Sequence, residues 1–360
     1  IDIKEKKMKN VVYYYGAGNT AKGFRPLYNS IFQGVKKIYS LNGGSNIFKT
    51  AIIKELIDEY SDTLSLEGIV STIDNNEMEG VILREKEIAV INGTPLHGFM
   101  NLDIDNIEVI DLDVFLDKDE IEKNEETIKF LKEQFKECME NAHKEYEKAL
   151  KIHDYWEDIY FPYLNIEKAN KFTEHVISLL TDGAVKKDSK GKCVERYLGG
   201  ATPSGPKDSV PSITEGVKRY FLKGRAGTGK STMLKKIAKS VMELGYDVEV
   251  YNCGFDPDSK DMVISRELNF AIFDSTAPHE YFPSREDDEI IDVYTTYIDG
   301  DVDKIHKEEI KKIALNYKNQ VAKGTAFLLK GEEVKNKLDD IYNNAFNHKE
   351  AKGVLEFLFE

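Results

Sequence analysis

The 360-residue sequence contains little cysteine. Its three cysteines, Cys138, Cys193 and Cys253, lie far apart, and no two of them have C-x-x-C spacing. A disulfide framework or a structural zinc site requires more cysteines, or cysteines in closer spacing. We therefore expect free, reduced thiols and a cytoplasmic protein.

Long apolar runs and an excess of positive charge are also missing. No run approaches the roughly 18 apolar residues that a membrane helix needs, and no secretory leader is recognisable. The 64 acidic residues outnumber the 50 basic ones, and the net charge is −14. Because nucleic-acid binding requires a basic surface, this balance argues against nucleic acid as a partner. We expect no membrane association either.

What the sequence does contain is an internal repeat. The stretch GVKRYFLKGRAGTGKSTMLKKIAK in the second half resembles GVKKIYSLNGGSNIFKTAIIKELID in the first half. Their lysines, Lys49 and Lys230, are offset by 230 − 49 = 181 residues, and the later pair Asp74 and Asp256 is offset by 256 − 74 = 182 residues. Self-similarity at a constant offset indicates a repeated structural unit. We interpret the chain as a tandem duplication.

Each unit is predicted to have an α/β fold, with a mostly parallel sheet sandwiched by helices, because short apolar strands alternate with helical periodicity. The predicted units are residues 1–183, with a core of about 1–116 and a helical hairpin of about 118–182, and residues 184–360, with a core of about 193–298 and a hairpin of about 303–360. The hairpins are predicted from apolar residues at three-to-four spacing. Their apolar faces either pack the two copies together or bind a protein partner.

The second unit contains a complete phosphate-binding motif. The segment GRAGTGKS fits G-x-x-x-x-G-K-[ST] and lies between a short apolar strand and an apolar-periodic helix. Glycines let the backbone approach a phosphate, the helix N-terminus holds the anion, and Lys230 reaches the β- and γ-phosphates. The predicted nucleotide-binding residues are Gly224, Arg225, Ala226, Gly227, Thr228, Gly229, Lys230, Ser231 and Thr232.

A magnesium site is predicted beside this motif. The apolar stretch LNFAIFD ends in Asp274, and in P-loop proteins an aspartate at such a strand end holds Mg²⁺ while the Ser of the motif binds the ion directly. We therefore expect Ser231 and Asp274 to hold Mg²⁺, with ATP as the nucleotide. Ser275 follows Asp274, where many ATPases have the acidic residue that activates water.

Three further residues are candidates for catalysis. Asp256 follows the predicted strand YDVEVYNC, which lies between Lys230 and Asp274 in the sequence, and is either the base for a substrate hydroxyl or part of a turn. His279 is either a phosphate or water contact or a turn cap. Arg285 is either a clamp on the transferred phosphate or a solvated surface residue.

The first unit has lost two of these features. Phe48 stands where the last loop glycine is expected, and Asn92 stands where the magnesium aspartate is expected. We therefore expect no catalysis in this unit. It either has a structural role, covering the active half, or still binds an anion or supplies Arg25 or Lys49 to the other site.

The chain resembles bacterial P-loop ATPase-like proteins that consist of two fused, similar halves. The resemblance rests on GNTAKGF, RYFLKGRAGTGKSTMLKKIAK, VYNCGFDPDSKDMVI and FDSTAPHEYFPSR, and it covers nearly the whole chain. It implies nucleotide binding and names no substrate. Family members commonly have an intact loop in the first half too, so GGSNIFKT departs from the pattern.

Three functions remain open at this point. The protein is an NTPase that hydrolyses Mg-ATP in its second half, a small-molecule or nucleotide kinase with Asp256 as base and Arg285 as clamp, or a nucleotide-sensing module that binds a protein through its helical hairpins.

Overall fold

The computed structural model describes residues 10–94, 106–277 and 280–359. The predicted site residue His279 therefore lies outside the described residues. The strands of the first half are β1 (Val11–Tyr15), β2 (Ala17–Thr20), β3 (Gly23–Pro26), β4 (Lys37–Asn42), β5 (Leu66–Val70), β6 (Met78–Leu83), β7 (Ile88–Asn92) and β8 (Ile107–Asp111). Those of the second half are β9 (Cys193–Tyr197), β10 (Gly199–Thr202), β11 (Gly205–Asp208), β12 (Lys218–Lys223), β13 (Val248–Asn252), β14 (Lys260–Ser265), β15 (Phe270–Asp274) and β16 (Glu289–Asp292).

Eleven α-helices accompany these strands in the part of the chain that the structure describes. They are α1 (Tyr28–Ile31), α2 (Asn46–Tyr60), α3 (Lys118–Lys123), α4 (Glu125–Tyr160), α5 (Ile166–Leu180), α6 (Val210–Ile213), α7 (Lys230–Glu243), α8 (Val293–Tyr297), α9 (Val302–Ile305), α10 (Lys307–Asn344) and α11 (His348–Val354). Among the described residues, none of these helices combines the length and the apolar character needed to cross a membrane.

Twelve strands form one mixed sheet that runs through both halves. Their order is β16-β12-β15-β14-β13-β9-β1-β5-β6-β7-β4-β8. The order is symmetric about the β9–β1 junction, where Tyr15 and Tyr197 pair antiparallel at an offset of 197 − 15 = 182 residues. Each half contributes six strands to this sheet. Five of them run parallel to one another, and the sixth, β6 or β14, runs antiparallel. The protein is therefore an α/β protein, with a single large sheet shared by the two halves.

Helices cover both faces of the sheet. Helix α2 and helix α7 pack on one face, over apolar side chains such as Val90 and Ile272. The short helices α1 and α6 pack on the other face, where Ile31 and Ile213 join one continuous core that spans both halves. Strands buried on both faces have runs of consecutive apolar residues instead of strict alternation, and β6 is buried at all six positions.

The two long helices pair with each other. Helix α4 (36 residues) and helix α10 (38 residues) run antiparallel, since Lys132 bonds to Tyr342 at one end and Tyr155 bonds to Glu309 at the other. Their apolar stripes cover one another, as expected if these faces pack the copies together. The sequence predicts that each long helix forms a hairpin with the following helix of its own half. In the structure, each long helix instead pairs with the long helix of the other half.

The short helices after the long ones also cross to the other half. Helix α5 belongs to the first half and packs on α7 and α8 of the second half. Helix α11 belongs to the second half, and its Ala351 joins the core beneath α2. The two halves therefore exchange their C-terminal segments.

A buried ion network joins the halves at the centre of the sheet. The Arg196 guanidinium lies 2.9 Å from a carboxylate oxygen of Glu67 in the first half and 2.9 Å from one of Glu249 in the second. Arg84 and Arg266 bind the same two carboxylates at 2.7 and 2.6 Å. Although burial opposes ionisation, Arg196 and Arg84 lower the pKa of Glu67 to about 2. Arg84 and Arg266 thus have equivalent structural roles.

Candidate functional site

The complete glycine loop, residues 224–229, lies at the carboxyl end of β12. It connects this buried strand to α7, which begins at Lys230. Gly227 and Gly229 have φ angles of +70° and +80°, in the left-handed region that L-residues other than glycine rarely adopt. The loop conformation therefore depends on glycine at these two positions, and strand, loop and helix follow one another as the sequence predicts.

Lys230 joins the loop to the neighbouring strand. Its side chain is 9% exposed, and its Nζ donates to the Arg225 carbonyl oxygen at 2.6 Å. The same Nζ lies 3.5 Å from Oδ2 of Asp274. This contact arises because β12 and β15 are parallel neighbours, with Leu222 in register with Asp274.

The two predicted magnesium ligands lie beside this lysine. The Ser231 hydroxyl accepts a hydrogen bond from the Lys260 backbone N–H at 2.9 Å. Asp274 accepts from the backbone and the hydroxyl of Thr276 at 3.1 and 2.6 Å, and its side chain is 23% exposed. A hydroxyl and a partly exposed carboxylate are oxygen donors of the kind that Mg²⁺ prefers, so these residues fit the ion.

The remaining loop residues are held by the protein itself. Thr228 donates its hydroxyl to the Arg225 carbonyl at 2.8 Å, and its own carbonyl accepts from the Tyr297 hydroxyl at 3.0 Å. The Arg225 side chain pairs with Asp303 at 2.8 Å. The loop is therefore braced by α8 and α9 as well as by its own hydrogen bonds.

Asp256 and Arg285 occupy opposite ends of the sheet. Asp256 follows the carboxyl end of β13, at the same end of the strands as the loop. It lies 3.2 Å from Nζ of Lys22 and accepts a hydrogen bond from the Ser259 hydroxyl at 2.9 Å. Arg285 instead donates to the carbonyl oxygen of Val217, which precedes β12. A six-residue strand of roughly 3.3 Å per residue, about 20 Å in all, separates that end from the loop. The structure therefore does not bring Arg285 to the loop.

A contact that the sequence reasoning missed comes from the first half. The last turns of α4 lie over the loop, and a Cβ at Gly227 would stand 2.6 Å from the Glu157 carbonyl oxygen. Glu157 pairs with His153, one turn earlier, at 3.6 Å. The repeat offset is the sequence feature that could have singled out these two residues. Glu157 and His153 have counterparts in α10 at Asp339 and Lys335 (339 − 157 = 182 and 335 − 153 = 182).

The corresponding loop of the first half is filled by protein groups. The backbone N–H of Gly44 donates to the Asp113 carboxylate at 2.8 Å, so that a carboxylate occupies the anion position of this loop. Phe48 packs against the ring of Phe346, with centroids 5.0 Å apart. A Cβ at Gly44 would stand 2.7 Å from the Phe346 ring. The C-terminal segment of the second half therefore closes this loop.

Two lysines are buried in the same place. Lys49, the counterpart of Lys230, donates to the Thr94 hydroxyl at 2.5 Å, and burial lowers its pKa to about 7. Lys335 is fully buried, and its Nζ lies 2.5 Å from Glu77, 2.5 Å from Asp339 and 3.8 Å from Asp74. The ammonium group of Lys335 thus occupies the space between three carboxylates that would otherwise suit a cation.

Comparisons with known proteins add no identity to this geometry. No family model, no curated protein and no solved structure matches the chain.

Proposed function

We propose that this protein is a P-loop NTPase that binds ATP with Mg²⁺ in its second half and hydrolyses it there. The observation that carries the proposal is the position of Lys230. Its ammonium group lies between a loop carbonyl and Asp274, at the start of a helix that follows a glycine loop. A helix N-terminus, a lysine and an aspartate on the adjacent strand form the arrangement that binds a nucleoside triphosphate with its metal.

Each bound group has its own residues in this proposal. The loop N–H groups and Lys230 hold the β- and γ-phosphates, while Ser231 and Asp274 hold the metal. Mg²⁺ neutralises charge that develops on the phosphates during transfer. Since Lys230 already approaches Asp274, we expect the lysine to reorient toward the phosphates on binding.

We assign the first half a structural role. An anion at its loop would compete with the Asp113 carboxylate, and a nucleotide would have to displace Phe48 and Phe346. Asn92, the counterpart of Asp274, is neutral and buried. The expected stoichiometry is therefore one ATP per chain.

A phosphotransferase is the second candidate, because Asp256 lies at the same edge of the sheet as the loop. Lys260, four residues later, contacts Ser231 directly. Arg285 does not lie where the kinase hypothesis needs a clamp on the transferred phosphate, since its side chain is bound at the far end of β12. Phosphate release without an added acceptor supports the NTPase, and ATP consumption only with an acceptor supports the kinase.

The test compares wild type, Lys230→Ala and Lys49→Met in Mg-ATP binding and phosphate release. Hydrogen bonds to a charged group contribute about 1.5–3 kcal/mol, so we expect Lys230→Ala to bind ATP about 10- to 150-fold more weakly. Lys49→Met changes the counterpart in the closed loop and should leave the affinity unchanged. Equal affinity of wild type and Lys230→Ala would overturn the proposal.

A further inference from the structure

The loop of the second half is covered by a helix that carries a carboxylate. Glu157 lies in the last turn of α4, and its backbone approaches Gly227 so closely that no side chain fits there. The Glu157 side chain is 46% exposed and has His153 as its partner at 3.6 Å. The carboxylate is therefore partly exposed and belongs to the helix turn that contacts the loop.

The closed half shows where a carboxylate at this helix position reaches. Asp339, the counterpart of Glu157, accepts from the Asn46 side chain at 2.9 Å and from the Lys335 ammonium at 2.5 Å. Asn46 is the counterpart of Gly227 (227 − 46 = 181). The acidic residue thus reaches both the glycine-loop position and a cation. In the second half these places hold no lysine and no loop side chain, because their residues are His153 and Gly227.

We propose that Glu157 is the catalytic carboxylate that activates water at the loop of the second half. This inference rests on the proposed NTPase function. Many ATPases have the acidic residue that activates water directly after the magnesium aspartate, but in this chain Ser275 follows Asp274. Glu157 supplies this carboxylate from the first half of the chain, because α4 lies over the loop of the second half.

The reaction step is a simple hydrolysis. Glu157 accepts a proton from the attacking water while the water oxygen forms a bond to the γ-phosphorus. The bond between the γ-phosphorus and the bridging oxygen breaks, and its electron pair stays on the β-phosphate of ADP. The products are ADP, inorganic phosphate and one proton, which Glu157 releases to solvent.

The experiment uses the full chain and measures Mg-ATP affinity and single-turnover phosphate release in the same preparations. The variants are Glu157→Gln, Glu157→Asp and the control Glu147→Gln. Glu147 is an exposed glutamate on the same helix and is paired with Lys151. General acid–base catalysis contributes about 10²- to 10⁴-fold, so Glu157→Gln should release phosphate at least about 100-fold more slowly while its ATP affinity changes less than about threefold.

The other variants separate catalysis from structure. Glu157→Asp retains an ionisable group that is one methylene shorter, so its rate should lie between those of wild type and Glu157→Gln and should still depend on pH. Glu147→Gln should behave as wild type. A Glu157→Gln variant that releases phosphate within threefold of the wild-type rate overturns the role of Glu157. A wild-type chain that binds Mg-ATP through Lys230 and releases no phosphate contradicts the proposed hydrolysis together with the role of Glu157, whereas an ATP affinity that does not depend on Lys230 contradicts the proposed nucleotide site.

Discussion

Replacing Lys335 by methionine would remove the central cation of the closed first-half site. Methionine has a similar length and no charge, so the change leaves the packing of α10 largely intact. Burial alone would lower the pKa of Lys335, but Glu77 and Asp339 offset this and hold the pKa above its usual value. The lysine is therefore charged at neutral pH, and its loss removes the ammonium group that lies against three buried carboxylates.

The expected cost follows from this geometry. The carboxylate oxygens of Asp74, Glu77 and Asp339 lie within 4.8 Å of one another, and the Lys335 side chain is 0% exposed. Removing one partner of a buried ion pair typically costs about 3–5 kcal/mol. We therefore expect the free energy of unfolding of Lys335→Met to fall by about 3–5 kcal/mol at neutral pH.

The assay is denaturant unfolding followed by circular dichroism, with Lys337→Met as the matched control. Lys337 is exposed on the same helix, so its replacement should change the free energy of unfolding by less than about 0.5 kcal/mol. Adding Glu77→Gln and Asp339→Asn to Lys335→Met should recover much of the loss, because amides need no countercharge. A loss below about 1 kcal/mol in the single variant would refute the role of Lys335 as the buried countercharge.

Two further predictions concern stability. Because burial lowers the pKa of Lys49 to about 7, against about 10.4 in an unfolded chain, the unfolded state binds more protons between these values, and the Lys49 contribution to stability rises with pH. The free energy of unfolding of wild type relative to Lys49→Met should therefore increase by about 1.4 kcal/mol per pH unit between pH 7 and 9; parallel pH profiles of the two proteins would contradict this. Arg196→Met leaves Glu67 and Glu249 short of a buried partner and should cost about 3–5 kcal/mol in denaturant unfolding, while an unchanged midpoint would show that Arg84 and Arg266 suffice.

Much of the local structure follows from patterns within short stretches of sequence. The apolar run before Gly224 and the helical spacing after Lys230 predict the strand and helix that the structure contains. The strand order also places Asp274 beside Lys230, as expected from the motif. Nucleotide binding itself stays a prediction until it is measured.

Positions that depend on distant parts of the chain were not accessible in the same way. Arg285 lies only eleven residues after Asp274 in sequence (285 − 274 = 11), yet its side chain donates to a carbonyl oxygen at the opposite end of β12. Glu157 lies about seventy residues before the loop (227 − 157 = 70) and still covers Gly227. Sequence proximity therefore suggested one residue that is remote and missed one that is adjacent.

The sequence by itself determined the periodicities, the repeat offset and the difference between an intact and an altered loop, because each depends on residues that are close along the chain. Only the tertiary structure decided that the halves share one sheet and exchange their C-terminal helices. The two copies present similar apolar faces, so the sequence pattern of a helix is compatible with packing on either half. The choice depends on the summed long-range contacts of α4 with α10, and that choice places Glu157 over the loop of the second half.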